Sequence, residues 1–228
     1  MSMKSSQESK KRSSCLPEFL FFAFVLTILN FPLLRGSIFE SAIFLPECVK
    51  AGEWWRVVTH PFVHLSWYHL LLDAGAFLLL YGGLDEPSRL RRILYAVGCG
   101  LGSLILSSAT SSVIGTQGLC GLSGIAHGLM AVSALESMKD KNAGRTSHLT
   151  GMISFVIVVA KSIAEVLMGQ VFFEFLHFGL MGLPVPACHA GGVMSGILLF
   201  LAMGRVRGAT NDSRGARAFK PVALSGGL

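Results

Sequence analysis

The sequence predicts an all-α, polytopic membrane protein, and three observations lead to that fold class. The chain has 228 residues, of which 52% are hydrophobic and only 14% are charged. Its mean hydropathy is +0.60, and a soluble domain of this size could not bury so much apolar surface in its own core. The 26 glycines suit helices that approach one another closely in a bilayer. We therefore expect one compact membrane domain.

The ends of the chain differ in composition from its middle. Residues 1–15 are polar and basic, so they are predicted to form a disordered cytoplasmic tail. Residues 16–204 are predicted to form the membrane domain, and residues 205–228 a second cytoplasmic tail. The first apolar run, 19–34, has no small-residue cleavage pattern before Arg35, which favours an uncleaved helix over a signal peptide.

Six apolar runs predict a bundle of six transmembrane helices. A span needs about 20 mostly apolar residues, and the shorter runs can be accommodated by local bilayer thinning or by burial inside the bundle. The runs are residues 19–34, 69–84, 93–112, 122–138, 149–168 and 189–203.

Basic residues lie mainly in alternate loops of this bundle, although the first loop breaks the pattern with Arg35, Lys50 and Arg56, beside three glutamates. In the later loops, basic residues follow the second, fourth and sixth runs, whereas the loops after the third and fifth runs contain no Lys or Arg. The positive-inside rule then places both termini in the cytoplasm. We read the net charge of +6 as topology and predict no nucleic-acid partner, because nucleic-acid binders gather basic residues on one face of a soluble fold.

The loop between the first two runs is predicted to be embedded in the membrane. It contains Trp54, Trp55, Phe62 and Trp67, and such rings prefer the headgroup boundary. Irregular backbone at that depth is tolerated only where it packs on protein or faces water. We therefore expect the loop to lie partly in the outer leaflet.

The segment Gly121-Leu-Ser123-Gly124 is the first candidate for chemistry. It places a serine between two glycines where a loop becomes a helix, which clears room for a substrate carbonyl and for backbone N–H donors. Helix packing is the alternative reading, because such tetrapeptides are common in membrane helices rich in Gly and Ser. The functional reading makes Ser123 a nucleophile.

Topology brings a histidine to the same depth. The fourth and sixth runs both cross from outside to inside, so Ser123 and His189 both lie at the outer ends of their helices, where a Ser–His hydrogen bond is possible. Gly192 and Gly196 follow the histidine at helical spacing and would allow the two helices to approach closely. His189 is therefore the predicted general base.

The remaining polar side chains in the apolar runs are candidates by position, because burying them in a bilayer is costly. Lys161 and Glu165 lie one helical turn apart, and we read them as a structural pair facing the bundle. Five cysteines without paired spacing do not make a disulfide framework, so Cys120 and Cys188 are read as packing residues.

From about residue 53 to residue 203 the sequence resembles the rhomboid family of intramembrane serine proteases. The resemblance implies Ser123 as nucleophile, His189 as base, and His69 with the Ser123 backbone N–H as oxyanion donors. It implies no metal or organic cofactor, and transmembrane segments of other proteins as substrates. The matching motifs are Trp55-Arg56, His69-x-x-x-Asp73, Tyr81-Gly82-Gly83 with Glu86, Gly121-Leu-Ser123-Gly124 and His189-x-x-Gly192-x-x-x-Gly196.

The compact form and the run Gly-Leu-Cys120-Gly-Leu-Ser-Gly look similar to the bacterial rhombosortase-like branch of the family. That branch implies processing of C-terminal sorting tails and a place in the bacterial cytoplasmic membrane. Two residues depart from the family pattern. Asp73 stands where the family commonly has asparagine, so it should be protonated, paired with His69 or His64, or turned away. His127 stands where a tyrosine often lies under the base, and an imidazole can also stack there.

Two other functions are consistent with parts of the sequence. A catalytically inactive rhomboid-like protein would bind transmembrane helices without cutting them, which Asp73 favours but the presence of both Ser123 and His189 disfavours. A small transporter would explain Lys161 and Glu165, but the sequence has no internal repeat to support it. We therefore predict an endopeptidase.

Overall fold

The fold is described by a computed structural model, which covers the backbone of residues 2–140, 144–172 and 185–218. Side chains are described for residues 15–140, 144–172 and 185–204. Within these ranges the protein has no β-strand, so the predicted all-α class is confirmed. The α-helices are α1 (Ser2–Asn30), α2 (Pro46–Lys50), α3 (Arg56–Thr59), α4 (Trp67–Gly83), α5 (Arg89–Thr110), α6 (Val113–Gln117), α7 (Ser123–Lys139), α8 (Arg145–Met168) and α9 (Pro186–Ala218).

Several of these helices are long and apolar enough to cross a membrane. Among the described residues there are four such stretches, or five if one bent pair of helices counts as a single span. The protein is therefore an integral, multi-pass membrane protein. The stretches are Cys15–Arg35, Arg89–Thr110, Arg145–Met168 and Pro186–Gly204, and the pair Arg56–Phe62 and Trp67–Gly83 is bent by 97°.

Helix α7 is the element on which the count of six spans depends. It has 17 residues, slightly fewer than the about 20 that a free-standing span needs. It packs against α4, α5, α8 and α9, and most of its first three turns are buried. Neighbouring helices rather than lipid cover such a helix, so it needs less apolar surface of its own. The number six stays a prediction.

The helix ends show how the sequence sets the boundaries. Helix α4 begins after Ser66, whose Oγ accepts a hydrogen bond of 3.2 Å from the backbone N–H of His69 and so caps the first turn. Helix α1 starts before the predicted first span, and α9 runs past the predicted sixth. The division into two tails and a membrane domain, and the side of the membrane on which each end lies, stay predictions.

Helices α7 and α9 meet backbone to backbone through glycines. A Cβ atom on Gly196 would lie 2.6 Å from the carbonyl oxygen of Gly128, and one on Gly192 would overlap that of Gly124. Only a residue without a side chain fits at such a distance. The close approach predicted for Gly192 and Gly196 is confirmed, and it holds the first turns of the two helices side by side.

The loop between α1 and α4 is held by a buried arginine. Arg56 donates from Nη1 to the carbonyl oxygens of Glu40 at 2.7 Å and Ile43 at 2.6 Å, and from Nε to the carboxylate of Glu53 at 2.6 Å. These bonds tie short helical turns together and satisfy backbone carbonyls that no regular helix would pair. The loop packs on the protein, and its depth in the bilayer stays a prediction.

Candidate functional site

Ser123 is the first residue of α7, and the turn before it requires glycine. Gly121 has φ of 98°, a left-handed conformation that residues with a side chain rarely adopt. A Cβ atom on Gly121 would lie 2.8 Å from both Oδ2 of Asp73 and Nε2 of His69. Gly121 therefore allows the turn before α7 to pack closely against these two polar atoms. Its predicted role in leaving room for a substrate stays a prediction.

Gly124 has a different role from the one predicted. A Cβ atom on Gly124 would overlap Oγ of Ser103 and lie 2.8 Å from the carbonyl oxygen of Cys188. The missing side chain makes room for α5 and α9 rather than for a substrate carbonyl. The assignment of Gly124 to substrate binding is therefore corrected to helix packing, which was the alternative reading of the tetrapeptide.

Ser123 and His189 lie in the first turns of neighbouring helices, as the topology argument predicted. Oγ of Ser123 makes its hydrogen bond with Sγ of Cys188, at 3.7 Å, and Cys188 directly precedes His189. In the described part of the chain no hydrogen bond joins Ser123 directly to His189. The serine must therefore leave the thiol before it can donate to the imidazole.

His189 is held from two sides. Its Nδ1 lies 2.6 Å from Oε2 of Glu165, and both residues are buried, Glu165 completely. A carboxylate can only accept, so Nδ1 carries the proton and Nε2 is left as the basic nitrogen of the neutral ring. His127 stacks on the other face of the ring, with centroids 3.8 Å apart and planes 15° from parallel. The stacking predicted for His127 is therefore found.

The hydrogen bonds of His127 fix its tautomer. Its Nδ1 lies 2.7 Å from the carbonyl oxygen of Ser123, which can only accept, so Nδ1 donates. Its Nε2 then accepts from Nζ of Lys161 at 3.0 Å. His127 is thus neutral, and it connects the backbone of Ser123 to the ammonium group on α8.

Glu165 was not predicted to be part of the site. The predicted pair with Lys161 is confirmed, because Nζ of Lys161 lies 2.5 Å from Oε1. The same oxygen accepts the backbone N–H of Phe172 at 2.9 Å, while Oε2 binds His189. Its role as a mere structural pair is therefore corrected. The sequence did contain an indication of this role. A buried carboxylate has two oxygens that need donors, so a second partner besides Lys161 was to be expected.

Asp73 is paired rather than turned away. Its Oδ2 lies 3.2 Å from Nε2 of His69 and 3.7 Å from Nε2 of His64, and it accepts the backbone N–H of Ser123 at 3.0 Å. This last bond departs from the prediction, in which the Ser123 N–H was free to stabilise an oxyanion. The reason is that a carboxylate only accepts, so it takes the nearest backbone donor.

Two cysteines border the site. Cys188 is buried and contacts Ser123, whereas Cys120 lies in the turn before α7. Burial, with a smaller contribution from the charge of Asp73, raises the pKa of the Cys120 thiol to about 12. A thiol that stays protonated is a poor nucleophile, so Cys120 does not compete with Ser123.

Two clusters in the described part of the chain have the donor atoms of a metal site. One consists of His64, His69 and Asp73, and the other of His127, Glu165 and His189; in each, the candidate ligand atoms lie within 4.8 Å of one another. In the second cluster, both ring nitrogens of His127 and Nδ1 of His189 are already hydrogen-bonded to protein groups.

Comparison with protein families matches residues 51–206, more than half of the chain, to the Rhomboid domain. No curated protein matches the chain significantly. Members of the rhomboid family are generally intramembrane serine proteases. The matched range includes Ser123, His189 and every side chain that surrounds them, and the chain therefore belongs to the rhomboid family.

Proposed function

We propose that this protein is an intramembrane serine endopeptidase that cleaves transmembrane segments of other membrane proteins. The observation that carries the proposal is the 2.6 Å bond between His189 and Glu165, on a histidine whose helix begins beside Ser123. A base oriented by a carboxylate and adjacent to a serine is the arrangement of a nucleophilic hydrolase.

The first step would be attack of Ser123 on a peptide carbonyl. The hydroxyl turns from Cys188 and gives its proton to Nε2 of His189, while Nδ1 stays bonded to Glu165. The carboxylate holds the tautomer and stabilises the imidazolium that forms. His189 then returns the proton to the leaving amine, and water hydrolyses the acyl-enzyme. No cofactor is required by this sequence of steps.

The oxyanion would be stabilised first by His69. Its Nε2 lies 3.2 Å from Oδ2 of Asp73 and close to Gly121 in the turn that precedes Ser123. The backbone N–H of Ser123 becomes a second donor only when Asp73 releases it. Occupation of this donor is the observation that favours the second candidate, an inactive rhomboid-like protein that binds transmembrane helices.

The substrate would be a helix that unwinds locally. A helical segment shields its own carbonyls by hydrogen bonding, so segments weakened by Gly or Pro near the outer face are preferred. We further propose a rhombosortase-like role in trimming C-terminal sorting tails in the bacterial cytoplasmic membrane, with both termini in the cytoplasm. The short Gly-Leu-Cys120-Gly-Leu-Ser-Gly run and the compact domain support this role.

Labelling by a fluorophosphonate probe tests the proposal. The purified, folded wild-type protein is expected to be labelled, and Ser123→Ala is not, because the probe reacts with an activated serine. Asp73→Asn is the informative third sample, since an amide can no longer carry the negative charge beside the oxyanion, and labelling should be faster. Two results would overturn the proposal and favour the binding-only candidate. One is labelling that persists in Ser123→Ala, and the other is absence of labelling in both the folded wild type and Asp73→Asn.

A further inference from the structure

The cluster of His64, His69 and Asp73 at the start of α4 has an unsatisfied nitrogen. His64 is fully buried, and its Nε2 has no hydrogen-bond partner among the described residues. That nitrogen lies 3.7 Å from Oδ2 of Asp73, and the two imidazole rings lie edge to face with centroids 4.9 Å apart. A buried polar atom without a partner is costly, so its presence here calls for an explanation.

The hydrogen bonds of Asn30 determine which nitrogen of His64 carries the proton. The amide nitrogen of Asn30 donates to the carbonyl oxygens of Leu26 and Phe62, both at 2.8 Å, so its Oδ1 must be the atom that faces His64. That oxygen accepts the backbone N–H of His64 at 2.9 Å and lies 3.3 Å from Nδ1. Nδ1 is therefore the protonated nitrogen, and Nε2 presents a lone pair.

The lone pair of His64 thus faces a carboxylate oxygen, and two acceptors oppose each other in a buried space. Such a pair is destabilising unless a proton, a water molecule or a metal cation lies between its members. His69 adds a third donor atom, because its Nε2 lies 3.2 Å from the same oxygen. Gly121 packs closely against both groups, because a Cβ atom there would lie 2.8 Å from Oδ2 of Asp73 and from Nε2 of His69.

We propose that His64, His69 and Asp73 bind a divalent transition-metal ion of the zinc class. Two imidazoles and one carboxylate are ligands that Zn²⁺ prefers. With metal–ligand bonds of about 2.0–2.2 Å and tetrahedral angles, ligand atoms lie about 3.3–3.6 Å apart. The observed separations of 3.2 and 3.7 Å bracket that range.

The surroundings of the cluster resemble those of a metal site in one more respect. A ligating histidine normally donates its other N–H to a carbonyl or carboxylate, and Nδ1 of His64 is so placed against Oδ1 of Asn30.

Metal binding has one identifiable cost, which falls on His69. Nδ1 of His69 accepts a long bond of 3.4 Å from the backbone N–H of Leu65, and this bond is lost when the metal takes Nε2 and the proton moves to Nδ1.

Metal binding would also act on Ser123. A cation on Asp73 draws its charge away from the Ser123 N–H, which frees that donor or repositions it. Because the metal takes Nε2 of His69, the Ser123 N–H would replace His69 as the oxyanion donor while the metal is bound. This consequence rests on the proposed function. The binding itself does not, so it can be tested without measuring proteolysis.

The experiment is a Zn²⁺ titration of the untagged full chain in detergent, after chelator treatment and desalting, in competition with a chromogenic chelator. We compare wild type with His64→Gln and, as the matched control in the other cluster, His127→Phe. The wild type should bind Zn²⁺, His64→Gln should bind at least about 10-fold more weakly, and His127→Phe should match wild type. Co²⁺ should give visible absorption bands in wild type that His64→Gln lacks.

Thermal unfolding of each variant shows that it is folded. If His64→Gln does not fold, Asp73→Asn replaces it as the test variant. Asparagine has nearly the same shape as aspartate but removes the anionic ligand, so this variant should bind Zn²⁺ at least about 10-fold more weakly than wild type. Any of three results would overturn the proposal. One is failure of the folded wild type to bind Zn²⁺, another is binding of Zn²⁺ by His64→Gln and Asp73→Asn as tightly as by wild type, and the third is that His127→Phe is the variant that loses Zn²⁺ binding. Zn²⁺ binding together with a failure of probe labelling would overturn only the proposed protease function.

Discussion

At Glu165, a single carboxylate connects two helices. Its two oxygens hold the ammonium of Lys161 on the same helix and the imidazole of His189 on α9. Glu165 is completely buried and His189 is buried too, so the bond between them acts without competing water. The orientation of the base therefore depends on a residue of a third helix, beyond the two that carry Ser123 and His189.

Glu165→Gln is expected to slow probe labelling of Ser123 by about 10²-fold or more, because the amide cannot stabilise an imidazolium and can present the wrong group to Nδ1. The rate constant of fluorophosphonate labelling measures this effect.

Ser162→Ala is the matched control, on the same helix and equally buried, with a hydroxyl that has no hydrogen-bond partner in the described part of the chain. It should label at the wild-type rate. If Glu165→Gln labels as fast as Ser162→Ala, then Glu165 does not orient the base.

The sequence identified Glu165 as a carboxylate in an apolar run, but it did not identify His189 as its partner. The lysine at i−4 accounted for its charge, whereas His189 lies 24 residues further on and meets it only through the packing of α8 against α9. The contact of Ser123 with Cys188 has the same origin, because it depends on the rotation of α9 about its own axis. Periodicity predicts that a helix exists and leaves that rotation open.

At the scale of the elements, α7 and α9 form one unit. Their contact runs along Gly124 and Gly128 on one side and Gly192 and Gly196 on the other. This contact could be predicted from the sequence, because the spacing of small residues on one helix face is a local pattern. It sets the separation between the first turns, and with it the reach from His189 to Ser123.

Gly192→Ala should therefore be destabilising, by about 1–3 kcal/mol, because the added methyl overlaps the carbonyl oxygen of Gly124 and forces the helices apart. Thermal unfolding in detergent micelles measures the loss. Probe labelling should slow in the same variant, since the base moves away from the serine.

Gly75→Ala on α4 is the control, because nothing lies within 4 Å of its Cβ position. It should unfold at or slightly above the wild-type temperature, since alanine favours the helix. Equal effects of the two substitutions would show that the α7–α9 contact is not tight.

For the whole molecule, composition alone predicts a multi-pass membrane protein, and the described helices agree. The helix boundaries are less well predicted by the sequence. Helix α4 begins two residues before the predicted start and α9 three residues before it, because a serine cap and a proline define those starts rather than the apolar run. Orientation in the bilayer is a property of the loops, because the basic residues that determine it lie there.

Alkaline phosphatase, which is active only outside the cytoplasm, tests the orientation. A fusion to the C-terminus should be inactive, since the basic loops predict that end inside. A fusion after Gln117, in a loop without Lys or Arg, should be active. The reverse result would place Ser123 on the cytoplasmic side.

The glycine contact between α7 and α9 also limits how a substrate can arrive. Where two main chains touch, no layer of side chains exists that could rotate aside to admit a third polypeptide. A segment diffusing laterally in the lipid is therefore expected to enter on another flank of Ser123. The flank formed by α4 and the first loop is separated from α7 by side chains, which can rearrange, and we expect the lateral entrance there.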